Sequence, residues 1–230
     1  RFLGDARIVG ICDLDRESGA RVAAEHGAKF TTDYGELLNL PGVEMVDICS
    51  PDFCHAEQVV LAAEKGRHIL CEKPMAMSLA EARRMQDAVQ KAGVKFMVGM
   101  CQRWRPSHVR IRELVRQGAI GKPTFARFQL KGSFFLYPPQ SFYRKKEGLG
   151  QFFHNGAHWL DEICDFLEAV PESVYAVTTS HYLPTDRMET PNYHYASLAM
   201  DGGQVVEIEY NQLLVDPPAP TSMHILLVGD

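Results

Sequence analysis

Through the first half of the chain, short apolar runs alternate with segments whose apolar residues recur every three to four positions. The runs RIVGIC (7–12), MVDIC (45–49), HILC (68–71) and KFMVG (95–99) have the length and composition of buried strands. Between them, residues 16–26, 55–65 and 78–92 carry a helical period. In the last, Leu79, Ala82, Met85, Val89 and Ala92 fall on one stripe, and Ser78 with Glu81 makes a capping box. Such alternation, joined by short loops, predicts right-handed crossovers and a doubly wound α/β unit whose parallel sheet is covered on both faces.

After Pro106 the texture changes. A helical segment at 107–117 leads through GAIGKP into longer alternating segments at 124–131, 193–200, 204–211 and 223–228, with one further helix over 158–167. These predict an α+β domain built on a large open, mainly antiparallel sheet. The expected division is a dinucleotide-binding domain of Rossmann type over 1–119 and a substrate and oligomerisation domain over 120–230. DPPAPT (216–221) reads as a proline-rich turn, since an apolar strand follows it directly, and no internal repeat is present.

Composition narrows the partners. With 230 residues and 46% hydrophobic content the chain can bury a sizeable core. A formal charge of -5 and the absence of any long basic run argue against nucleic acid or a membrane surface as partner. No stretch approaches the roughly 18–20 apolar residues of a membrane span. Small molecules are the expected ligands. The six cysteines, at 12, 49, 54, 71, 101 and 164, form no CxxC pair and sit mostly in or beside apolar runs, which predicts reduced thiols in the cytoplasm.

Three strand ends carry polar groups where an open α/β sheet collects ligands. Asp13 closes the first run: a carboxylate there can accept hydrogen bonds from an adenosine ribose, favouring NAD over NADP, or it can cap the helix from Arg16, a role open equally to Asp15. Ser50 and Pro51 make a stiff turn after the second run, with His55 opening the next helix; an ordinary strand-to-helix loop reads the same way. CEKPMA (71–76) is the most unusual, because an apolar run gives way to Glu72, Lys73 and Pro74 rather than to small turn residues. Lys73 is either a cation placed to meet a ligand oxygen or a surface lysine paired with Glu72.

The segments CDLD, CSPDFCHAEQ, CEKPMAMSLAEA, VGMCQRWRP, GAIGKP and GLGQFFHNGAHWLDEICDFL stand in an order and spacing that resembles the Gfo/Idh/MocA oxidoreductases, the glucose-fructose oxidoreductase and inositol dehydrogenase family, over nearly the whole chain. The resemblance implies that Lys73 is catalytic, lying between nicotinamide and substrate, with Glu72 beside the cofactor and Pro74 fixing the turn. It places Ser50, Pro51, His55 and Arg103 near the dinucleotide. His158 takes the position of the catalytic histidine, and His154 stands where the family commonly has an aspartate; Cys101 replaces a family asparagine. Arg144 with His154 and His158 is implied for substrate binding, and Arg105 and Tyr143 come from segments brought over the same site. A first strand and glycine loop before Arg1 and further sheet after Asp230 are implied too, as is a homodimer or homotetramer.

The expected activity is NAD-dependent hydride transfer between nicotinamide and a secondary hydroxyl of a sugar, inositol or related polyol. Loss of hydride from a carbinol needs a base of near-neutral pKa and a cation near the developing alkoxide, roles that suit His158 and Lys73 in either order. Arg16 leaves NADP open. Two other classes fit the same residues: an enzyme that uses held NAD for a net non-redox reaction, such as glycoside cleavage or epimerisation, and a dinucleotide or sugar sensor without turnover. His154, His158 and Asp161 also have acceptable metal spacing, but Gly156 between the histidines and the lack of an H-E-x-x-H pattern count against zinc, and no metal is expected.

Overall fold

The computed structural model describes residues 6–133, 148–180, 189–214 and 222–230. The chain divides into two compact units, Arg1–Gly99 and Met100–Asp230. This division lies ahead of the expected boundary between residues 119 and 120, because the helix that follows Arg105 packs on a helix of the second unit.

In the first unit β1 (Gly10–Cys12) pairs in parallel with β2 (Lys29–Thr31), and β3 (Met45–Ile48), β4 (His68–Cys71) and β5 (Phe96–Val98) form a second parallel ladder in that order. Between the strands run α1 (Arg16–His26), α2 (Tyr34–Leu38), α3 (His55–Glu64) and α4 (Leu79–Ala92). The ends of α1 follow from local chemistry: the Asp15 side chain accepts the N–H groups of Glu17 and Ser18, and Gly27 closes the helix in the left-handed region at φ 63°. Gly19 is required by packing, since a Cβ there would lie 2.4 Å from the Phe30 ring on β2. Ser78 caps α4 through the N–H of Glu81, whose carboxylate reaches back to the N–H of Met77 at 2.9 Å. Val46, Ile48, Val59, Ile69, Cys71 and Met85 lie at the centre of this unit's core.

The second unit contains α5 (Pro106–Arg116), α6 (Gly150–Leu167) and a five-stranded sheet of order β10-β6-β9-β8-β7. Its strands are β6 (Pro123–Ser133), β7 (Pro171–Thr179), β8 (Tyr193–Met200), β9 (Val205–Leu214) and β10 (Ser222–Gly229). All neighbours are antiparallel except β6 and β9, which run parallel. One face of the sheet carries Ala126, Phe128, Leu198, Val206 and Ile208 into a core shared with Trp159, Ile163 and Phe166 of α6. The other face is open and mixed, with Arg127 paired to Glu207 and Gln129 donating to Glu209 beside exposed Val205, Leu226 and Val228.

Two features depart from the sequence expectation. Helix α6 begins at Gly150, two turns before the expected start at His158, so Gly156 lies inside it, buried, with the Phe152 ring 3.8 Å from where a Cβ would be. Strand β7 has no apolar alternation because it is an edge strand exposed along almost all its length, which also explains its first residue, Pro171. The expected turn at 216–221 lies outside the described residues.

Candidate functional site

All three candidate turns of the first unit leave from the carboxyl ends of parallel strands. Asp13, beyond β1, is exposed, and its Oδ1 accepts the N–H of Asp15 at 2.9 Å. The cap of α1 is therefore Asp15, and Asp13 keeps a second carboxylate oxygen for other partners, which fits a ribose diol.

Beyond β3, the Ser50 hydroxyl donates to Gln58 Oε1 at 2.6 Å, and Pro51 starts a single 3-10 turn, Asp52–Cys54, that leads into α3. Beyond β4, Glu72 folds back so that its carboxylate accepts the N–H of Lys73 at 3.1 Å. The same carboxylate lies 3.4 Å from where a Cβ on Gly99 would be, so the small residue after β5 leaves room for the acid. Lys73 is partly exposed, Pro74 is buried, and the peptide between them is cis.

His55 ties two of these turns together. The ring is fully buried: Nδ1 lies 2.9 Å from the Pro74 carbonyl oxygen and Nε2 lies 2.9 Å from that of Ser50. Both partners are acceptors, so a neutral ring satisfies one carbonyl at a time and an imidazolium both. His55 thus sits behind the turns rather than on their surface. Beneath them, burial pushes the Cys71 thiol up to about 12, with Glu72 adding to the effect, so this sulfur stays protonated at neutral pH and acts as packing.

In the second unit, His154 and His158 lie one turn apart on α6; His154 is half-buried and His158 buried. Asp161, one turn further on, is held by Arg103: Nε and Nη2 each donate to its carboxylate at 2.6 Å. That fork, reinforced by Asp165, raises the Arg103 pKa, the hydrogen bond to Asp161 being the largest cause and burial opposing it. The guanidinium expected to meet the dinucleotide is thus joined to α6. Among the described residues no group of three histidines, cysteines or acids could hold a metal ion. Arg144 and Tyr143 lie outside the described residues, whereas Arg105 is exposed and donates to the Gln102 side chain at 3.0 Å.

Sequence reasoning did not single out Gln58, nor the buried pair His108 and Glu162, whose Nδ1 and Oε1 are in direct contact between α5 and α6. Only an acid in the apolar stripe of α6 hints at the pair, and its partner lies on a different helix.

Residues 2–100 match the model of the oxidoreductase family with an NAD-binding Rossmann fold, and residues 108–228 match the C-terminal domain of the GFO/IDH/MocA proteins. An uncharacterized oxidoreductase, YrbE, of Bacillus subtilis is 32% identical over 171 residues, 74% of this chain and 49% of that protein. Inositol 2-dehydrogenase of Rubrobacter xylanophilus is 38% identical over 123 residues, 53% of this chain and 35% of the enzyme. Among solved structures, an oxidoreductase domain protein from Kribbella flavida superposes with a TM-score of 0.86 at 27% identity, covering 97% of this chain and 62% of that one. A levoglucosan dehydrogenase solved with NADH and levoglucosan gives 0.85 at 25% identity, covering 96% and 62%. The chain spans about half or less of the length of the curated relatives it matches. Two family models that together cover nearly all of the sequence leave one conclusion: the chain belongs to the Gfo/Idh/MocA oxidoreductases, and its first unit is their NAD-binding Rossmann fold.

Proposed function

We propose that the protein to which this chain belongs is an NAD-dependent oxidoreductase that moves a hydride between nicotinamide and a secondary hydroxyl of a sugar, inositol or related polyol. The observation that carries this reading is the turn at Glu72–Lys73–Pro74. It places a cation at the carboxyl end of a central parallel strand and braces it through the Lys73 N–H and the Pro74 carbonyl. The names of family members support the substrate class: inositol 2-dehydrogenase, levoglucosan dehydrogenase and 1,5-anhydro-D-fructose reductase.

The residues fit a dinucleotide. Asp13 offers a free carboxylate oxygen to the adenosine ribose, and the same charge disfavours a 2'-phosphate, which makes NAD the preferred form. Ser50 and Pro51 would border the nucleotide, and Glu72 would stand beside its nicotinamide end, with Lys73 between nicotinamide and substrate. Bound nicotinamide supplies the hydride acceptor. Lys73 stabilises the developing alkoxide, and His158 takes the hydroxyl proton. His154, with no fixed negative charge, orients substrate hydroxyls together with Arg144. Arg103 acts at one remove, by fastening α6 through Asp161.

The open outer face of the second sheet, where Val205, Leu226 and Val228 are exposed beside the Arg127–Glu207 pair, supports assembly as a homodimer or homotetramer. The six cysteines, none in a disulfide, support a reducing cytoplasmic setting. No helix among the described residues is long and apolar enough to cross a membrane.

The test is the absorbance of reduced nicotinamide when the full-length protein receives NAD and a panel of sugars and inositols, with His158→Ala alongside. A signal abolished by the substitution is the expected result. Silence across the panel from a protein that still binds NAD would contradict it.

A further inference from the structure

His108 on α5 and Glu162 on α6 are among the most deeply buried polar side chains of the second unit, 5% and 1% exposed, and they touch through Nδ1 and Oε1. The His108 ring is also hydrogen-bonded to the backbone of Gln102, in the short turn that also carries Arg103. Glu162 follows His158 by one helical turn, and both side chains are buried. An apolar setting of this kind does not tolerate a lone carboxylate, and two groups in such contact need a proton between them.

We infer that Glu162 is a positioning residue for His158: it is held as the neutral carboxylic acid, donates its proton in a hydrogen bond to His108 Nδ1, and so locks the helix bearing His158 to Gln102 through the His108 ring. The inference rests on the reading of His158 as the proton acceptor, but the lock itself can be tested without turnover.

The charges around the pair agree on which partner keeps the proton. Burial is the largest influence on Glu162 and pushes its carboxyl up to about 8; Asp161 and Asp165 of its own helix add to the rise, and Arg105 at the start of α5 opposes it. Burial and Arg105 lower the pKa of His108, while the bond to Gln102 works the other way. The Phe166 ring meets His108 edge-on and brings no charge. At neutral pH the pair is therefore acid and neutral imidazole rather than carboxylate and imidazolium.

Below the ordinary carboxylate pKa of 4.5 the acid is protonated in both folded and unfolded chains, and folding carries no penalty from it. As pH rises, the unfolded chain releases the proton and the folded one keeps it. Stability falls until the folded pKa of about 8 is passed and is constant above it. Glutamine donates the same hydrogen bond without titrating.

The experiment compares full-length wild type, Glu162→Gln and Glu162→Ala by thermal midpoint from about pH 5 to about pH 9, by backbone hydrogen exchange around His158, and by turnover. Glu162→Gln is expected to match wild type at the acid end and to gain on it steadily as pH rises to about 8. Its exchange rates stay at the wild-type level, and it restores the turnover that alanine loses. Glu162→Ala is expected to be less stable at every pH, with exchange around His158 faster by about tenfold or more. The proposal is overturned if glutamine behaves like alanine, or if the gap between glutamine and wild type does not change with pH. A wild type without turnover would overturn the reading of His158, while the midpoint and exchange series would still decide the lock.

Discussion

His55 Nδ1 lies 2.9 Å from the carbonyl oxygen of Pro74, so a buried imidazole holds the turn that presents Lys73. The opposite nitrogen holds the Ser50 carbonyl at the same distance, and the two turns at the ends of β3 and β4 are thereby fixed to each other. Replacing His55 by alanine takes the ring nitrogens away from both carbonyls and opens a cavity in a fully buried place. A loss of about 2–4 kcal/mol is expected in denaturant unfolding. Turnover falls along with it, because the Lys73 turn loses its brace. A stability loss below about 0.5 kcal/mol would show that the bridge does not hold the turn.

Lys73→Met keeps the bulk of the side chain and removes the cation. On the proposed mechanism kcat falls by about 10²–10⁴-fold while NAD binding, measured by titration of protein fluorescence, changes little. Equal losses in binding and in turnover would instead make the lysine a cofactor anchor.

Much of this first unit was legible from sequence, for identifiable reasons. The segments 16–26 and 68–71 coincide with α1 and β4, and the Ser78–Glu81 cap forms, because each rests on local periodicity or on a side chain reaching its own backbone. The short β2 and α2 were not anticipated: β2 has three residues and α2 five, too few for a period to show. In the second unit, Gly150 and Gly156 hid the first turns of α6, since glycine weakens a helical pattern that tertiary packing then overrides. The expected site residues of the first unit came from motifs at strand ends, and His154 and His158 from the histidine block of the family resemblance. Gln58, the partner of Ser50, and the mutual pair His108 and Glu162 escaped because contacts between separate elements leave no mark in a local pattern.

Arg103 and Asp161 form a two-pronged pair in which the arginine side chain is 40% exposed and the aspartate 19%. Solvent screening limits its value, so a double-mutant cycle of Arg103→Ala and Asp161→Ala should give a coupling of about 1 kcal/mol in unfolding free energy. If Arg103 serves α6 rather than the dinucleotide, Arg103→Ala leaves the Kd for NAD within about threefold of wild type. A rise beyond about tenfold would return the arginine to the cofactor.

Asp13 separates the two cofactors in this account, its Oδ1 engaged by Asp15 and its other oxygen available to a ribose. Asp13→Ala is expected to raise the KM for NAD by about tenfold and to narrow the preference over NADP, as read from the ratio of kcat/KM values. An unchanged ratio would leave Asp13 as a turn residue alone.

The central claim is that a hydride passes from a carbinol carbon to nicotinamide with His158 accepting the proton. The most direct measurement follows an accepted polyol labelled with deuterium at that carbon, using the full-length protein and NAD, with mass spectrometry of both products. The account predicts one deuterium in the reduced nicotinamide from wild type and none from His158→Ala. Product formation with the label kept in the polyol or lost to solvent, and no labelled nicotinamide, would contradict it and turn the same fold toward a net non-redox reaction.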